Sequence, residues 1–119
     1  MFVVFDIGTS RLKASAFSGA GELLGHTAKR HSQHAEDGYA WQDTSEWWRN
    51  ACSGFADLMR GSGLHPKDIR GFSVSGRAGA GIFVDGNGQV LAEPWSDGRH
   101  RPLLEAPVSY THLTLPTKA

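Results

Sequence analysis

The sequence contains a single cysteine, Cys52, in 119 residues. No intrachain disulfide can form, and a cysteine-rich zinc site is excluded. Such sparing use of cysteine is compatible with a reducing compartment. The chain has no run of about 20 apolar residues, so no membrane-spanning helix is expected. Its opening, MFVVFDIG, lacks a basic leader and a long apolar run before a small-residue cleavage site. Neither charge is in excess: Lys plus Arg number 12, Asp plus Glu number 12, and the formal net charge is +0. Composition therefore makes no electrostatic case for nucleic acid or a membrane surface as partner. The expectation is a soluble, cytoplasmic chain that binds neither. No internal repeat is visible.

What is present reads as an α/β pattern. Phe2 to Phe5 is a continuous apolar run, which suggests a central strand covered on both faces. Asp6 to Ser10 reads as a tight polar turn. Leu12 to Phe17 returns as a second strand, and Glu22 to Lys29 forms a third. His31 to Gly38 is polar and reads as irregular. Asp43 is placed to cap a helix, with Glu46 at the capping-box position. Trp47, Trp48, Ala51, Phe55, Leu58 and Met59 follow at helical spacing, and Gly61-Ser62-Gly63 ends the helix. Ile69 to Ser75 reads as a strand running parallel to the first set. Ile82 to Val84 and Gln89 to Leu91 then flank an Asp85-Gly86-Asn87-Gly88 turn.

The Asp6-Ile7-Gly8-Thr9-Ser10 turn carries the most chemistry. Gly8 allows close backbone approach to a ligand. Thr9 and Ser10 offer hydroxyls and N–H groups suited to phosphate oxygens. Lys13 could add a point charge. Asp6 would serve Mg²⁺ rather than phosphate, directly or through water. A plain turn, with Asp6 capping nearby amides, explains the same residues, so spacing leaves both readings open. The turn is not a Walker A loop, and Gly76, Gly79 and Gly81 miss the dinucleotide-binding order. His31 and His34 lack a third ligand and read as solvated histidines rather than a metal site.

Five segments occur in order: VVFDIGTSRLKASAF, GYAWQDTSEWW, IRGFSVSG, FVDGNGQVL and WSDGR. Together they resemble the N-terminal part of the FGGY carbohydrate kinases, from about Phe2 to Arg101. Members phosphorylate sugars or polyols such as xylulose, ribulose and glycerol. The resemblance implies an incomplete N-terminal domain of the ribonuclease-H-like, actin-like ATPase fold, which uses ATP and Mg²⁺. It places Asp6, Gly8, Thr9, Ser10 and Lys13 at the ATP phosphates, with Asp6 toward the metal. It places Trp95 as an apolar wall beside the sugar and Asp97 as a hydroxyl acceptor. Arg99 would either brace Asp97 or bind substrate. Trp41, Trp47 and Trp48 are assigned mainly to packing.

The resemblance also has departures. Xylulose kinases continue after the fourth strand with Gln-Met-His-Gly, where this chain has Arg77-Ala78-Gly79-Ala80. Arg77 becomes a substrate-binding candidate, and a sugar or polyol other than xylulose is favoured. The family's general base and adenine-binding glycines lie further along much longer chains. The fragment is therefore expected to be inactive alone and to need its missing C-terminal part; a homodimer at full length is left open. Residues 1–107 read as the partial kinase domain. Residues 108–119, VSYTHLTLPTKA, read as a non-native tail, with an ordinary strand at Tyr110 to Leu115 as the alternative. A non-sugar actin-like ATPase and a small stand-alone binding module are the competing functions.

Overall fold

A computed structural model of the chain describes residues 1–99, 101 and 102. The chain begins with three antiparallel strands: β1 (Phe2–Ile7), β2 (Arg11–Phe17) and β3 (Leu23–Arg30). Two short strands, β4 (His34–Glu36) and β5 (Tyr39–Trp41), form a hairpin before helix α1 (Thr44–Ser62). A single 3-10 turn at Pro66–Asp68 leads to β6 (Gly71–Gly76). β6 lies parallel to β1, giving the sheet order β3-β2-β1-β6. A last hairpin joins β7 (Phe83–Val84) to β8 (Val90–Ala92).

Side-chain alternation decides how the helix meets the sheet. In β2, Leu12, Ala14 and Ala16 are fully buried, while Arg11 and Lys13 are exposed. Val3 joins them from β1, and Leu58 and Met59 close the cluster from α1. Small alanines let the helix lie close to the strands. Gly25 serves the same end: a Cβ there would stand 2.9 Å from the Ser62 Cβ. Asp43 caps the helix by accepting from the Ser45 amide at 2.7 Å, and Gly63 ends it in the left-handed conformation at φ 66.

Four expectations change. His31 to Gly38 is not wholly irregular, because His34–Glu36 pairs with Tyr39–Trp41. The polar residues hid this pairing, and Gly38, at φ 81, supplies the tight reversal. Asp6 and Ile7 belong to β1, so the turn begins at Gly8. Glu46 does not complete a capping box: its carboxylate accepts from the Ser32 amide and hydroxyl at 2.8 and 2.9 Å. Trp48 lies 72% exposed instead of in the core.

Cover on both faces of β1 is also not found among the described residues. Helix α1 covers one face, and the other carries Phe2, Val4 and Asp6. On the helix side, Phe72 and Val74 of β6 remain 62% and 66% exposed, although Phe72 stacks on Phe5 and meets Phe55 at a tilt. The boundary at 107 and the tail at 108–119 lie outside the described residues.

Candidate functional site

The β1–β2 hairpin builds the first part of the site. Antiparallel register sets Asp6 opposite Lys13, and parallel register sets Ser75 of β6 on its other side. All three therefore project from the sheet face opposite α1. Lys13 Nζ approaches Asp6 Oδ2 at 3.4 Å, with both side chains well exposed. Such a surface pair contributes at most about 1 kcal/mol. It leaves both groups free to rearrange around a ligand.

The reversal itself is held by backbone bonds. The Gly8 amide donates to the Arg11 carbonyl at 3.1 Å, and a Cβ on Gly8 would meet that oxygen at 3.1 Å. Gly8 is thus favoured by this close approach and not by a left-handed φ. The Ser10 carbonyl accepts from the His31 amide at 3.0 Å. Among the described residues, the Thr9 and Ser10 amides donate to no protein acceptor. Thr9 and Ser10 are exposed. The hairpin tip therefore presents unpaired N–H groups beside a lysine and a carboxylate.

Arg77 follows β6, and its amide donates to the Ile7 carbonyl at 3.0 Å. This places its backbone next to the turn. Its Nη1 is buried without a partner among the described residues. A guanidinium nitrogen in that condition suits an acidic or hydroxyl-bearing ligand.

The second part lies on the β4–β5 hairpin. Gln42 N donates to Pro94 O at 3.2 Å and Ser96 N to Ala40 O at 2.9 Å, stitching residues 94–96 alongside β5. The Trp95 ring stacks on Phe83 with centroids 6.3 Å apart. Asp97 accepts from the Ala40 amide at 2.6 Å and from the Arg99 amide at 2.9 Å. Arg99 Nε and Nη2 fork onto the same carboxylate, and the guanidinium lies over the Tyr39 ring at 4.7 Å. Of the two roles open to Arg99, this geometry displays the brace. The Arg99 fork holds the Asp97 carboxyl far below the usual carboxylate range, although burial works against it.

Three other carboxylates or imidazoles have structural duties. Asp85 accepts from the Asn87 and Gln89 amides, which hold its carboxyl low and close the β7–β8 turn. Burial pushes the Asp43 carboxyl up, but the Ser45 amide, Arg49 and the Glu46 amide outweigh it and hold it low. His31 is not solvated, which corrects the sequence reading. Its ring packs on Trp47 at 5.7 Å, and Nδ1 meets the Asn50 amide nitrogen at 3.1 Å. That nitrogen also donates to the Arg30 carbonyl, so Nδ1 accepts and the proton sits on Nε2, which is buried without a partner among the described residues.

Sequence reasoning missed Gln42. It is 1% exposed and donates to the Thr9 carbonyl at 2.7 Å. Its place directly before a helix cap was the available signal, but nothing local reveals a bond to a turn 33 residues away.

Comparison with known proteins agrees with this architecture. The family described as "FGGY family of carbohydrate kinases, N-terminal domain" matches residues 1–106. A xylulose kinase of Staphylococcus epidermidis (strain ATCC 12228) is 32% identical over 100 residues, covering 80% of this chain and 20% of the relative. The crystal structure of xylulose kinase from Rhodospirillum rubrum superposes with a TM-score of 0.74 at 24% identity, covering 90% of this chain and 23% of that one. Plasmodium falciparum glycerol kinase with ADP gives 0.73 at 18% identity, covering 87% and 22%. These two structures establish the shared α/β fold. The chain spans about a fifth of the length of the curated relatives it matches. With the match over residues 1–106, the chain belongs to the FGGY family of carbohydrate kinases, in the part that forms the N-terminal domain.

Proposed function

We propose that this chain is the N-terminal part of a kinase that transfers the γ-phosphate of ATP to a hydroxyl of a sugar or polyol. The observation that carries the reading is the hairpin tip: unpaired Thr9 and Ser10 amides next to Asp6 and Lys13, within a family match over residues 1–106. The Thr9 and Ser10 amides would donate to phosphate oxygens, Gly8 would leave room for their approach, and Lys13 would balance their charge. Asp6, held among the described residues by one long contact to Lys13, would take a place near Mg²⁺. The bound ion would neutralise charge on the phosphates.

Trp95 would wall the carbon skeleton. Asp97, oriented by Arg99, and Arg77, with an orphaned nitrogen, would meet hydroxyls. The antiparallel triplet followed by a parallel fourth strand supports the ribonuclease-H-like, actin-like reading of the fold. Asp43, Asp85 and Asp97 are each engaged by backbone amides. None is therefore offered as the general base, which the reading assigns to a part of the kinase outside this chain. The xylulose kinase relatives favour a pentulose, whereas Arg77-Ala78-Gly79-Ala80 favours a different hydroxyl pattern. The substrate class is accordingly kept at sugar or polyol.

A chimera tests this. Residues 1–106 would replace the matching segment of the Staphylococcus epidermidis relative, with ADP release measured against pentuloses, other sugars and glycerol. Sugar-dependent ADP release is expected. In Asp6→Asn, kcat should fall by about a hundredfold or more. ADP release indifferent to every sugar would instead identify a non-sugar ATPase.

A further inference from the structure

Gln42 is a buried amide whose hydrogen-bonding groups are all assigned. Trp47 Nε1, which can only donate, approaches Gln42 Oε1 at 3.2 Å. This fixes the amide's orientation and turns Nε2 toward the hairpin. Nε2 then donates to the Thr9 carbonyl at 2.7 Å and to Gln33 Oε1 at 3.1 Å. Gln33 Nε2 continues the chain to Ser96 Oγ at 2.9 Å and the Trp41 carbonyl at 3.1 Å. One row of amides thus runs from the hairpin tip to the loop that carries Trp95 and Asp97.

The peptide geometry gives this row a consequence. The chain has no cis peptide among its described residues. In a trans peptide, the carbonyl and the following N–H point in opposite directions. Gln42 draws the Thr9 carbonyl inward, so the Ser10 N–H must face outward. That N–H is one of the two at the tip without a protein acceptor. Were the Thr9–Ser10 peptide to flip, its carbonyl oxygen would take the outward position and repel an anion.

We infer that Gln42 is a positioning residue, which locks the Thr9–Ser10 peptide so that the Ser10 N–H is held ready for a phosphate oxygen. Gln33 extends the lock to Ser96, so the phosphate turn and the Trp95–Asp97 loop share one support. The inference rests on the phosphate reading of the hairpin. It adds a residue whose side chain never touches the ligand.

The test uses the chimera that carries residues 1–106, labelled with ¹⁵N at serine and titrated with Mg·ADP while the Ser10 amide is followed; the parent chain is the unsubstituted chimera. Gln42→Glu replaces the donor by an oxygen facing the Thr9 carbonyl, but can still accept from Trp47. Mg·ADP should bind about tenfold more weakly to the folded variant, in line with loss of one buried hydrogen bond. Trp47→Phe keeps an aromatic side chain but loses the indole N–H that orients Gln42, together with part of the ring's packing. It should weaken binding by about threefold, and it serves if Gln42→Glu fails to fold. A merely structural role would lower the melting temperature of either variant and leave the affinity of the folded fraction unchanged. Unchanged affinity in the variants, with a responsive Ser10 in the parent chain, overturns the lock and leaves the phosphate reading standing. A Ser10 amide that Mg·ADP does not move in the parent chain overturns both.

Discussion

Gly8→Ala separates two explanations for the glycine at the hairpin tip. Its φ is not among the left-handed values, so alanine can adopt this backbone. The added Cβ would lie 3.1 Å from the Arg11 carbonyl oxygen, which is tighter than ordinary contact. That oxygen must retreat by a few tenths of an ångström, and it is the one receiving the Gly8 amide at 3.1 Å. At worst the bond is lost, costing about 0.5–1.5 kcal/mol. Replacing glycine restricts the unfolded chain and returns about 0.4–1 kcal/mol. The two terms nearly cancel, so the net change should lie within about 1 kcal/mol of zero. Binding has no such compensation, because the phosphate reading needs the backbone at Gly8 open to close approach. Urea denaturation followed by tryptophan fluorescence should show nearly unchanged stability. Titration of the chimera carrying the same substitution with Mg·ADP should show affinity reduced about tenfold or more. A destabilisation above about 3 kcal/mol would mean that the backbone itself demands glycine. Unchanged affinity would mean that no ligand approaches Gly8.

Two other outcomes follow from the packing and the buried imidazole. Leu12→Ala empties the centre of the sheet–helix cluster and should cost about 3–5 kcal/mol in urea denaturation; a loss below about 1 kcal/mol would contradict the packing of α1 on β2. Burial holds the His31 pKa below its ordinary value of about 6.5, and Glu46 offsets this only in part. Between the depressed folded pKa and about 6.5, the unfolded chain therefore binds more protons. The contribution of His31 to stability is complete above about pH 6.5 and declines as pH falls through that window. From pH 7.5 to 5.5 the melting temperature should fall less in His31→Gln than in the parent chain, and equal slopes would refute the assignment.

Strand and helix identities were largely legible because they depend on local patterns. The loose alternation of Leu12 to Phe17 marked a strand, and Asp43 announced the helix start, whereas the burial of Leu12, Ala14 and Ala16 came from the structure. Glu46 shows the limit of such reasoning. The capping-box spacing was present, but Ser32 offered two donors from another part of the chain and took the carboxylate. His31 reads as solvated in the sequence because His31 and His34 lack a third ligand, whereas Trp47 and Asn50 of α1 pack against its ring and bond its Nδ1. The β4–β5 hairpin was hidden for a related reason. Its strands have three residues each, too few for a period to emerge.

By itself the sequence determined the α/β pattern, the family and the residue types at the hairpin tip. These are encoded in alternation, glycine placement and five ordered segments. Only the tertiary structure decided which groups are spoken for. It paired Asp6 loosely with Lys13, committed Asp97 to Arg99, left Arg77 Nη1 without a partner among the described residues, and brought Gln42 beneath Thr9. The physical reason is distance along the chain. A capping carboxylate or a strand repeat is written within a few residues. A hydrogen bond between Gln42 and the Thr9 carbonyl exists only after the sheet and helix have packed.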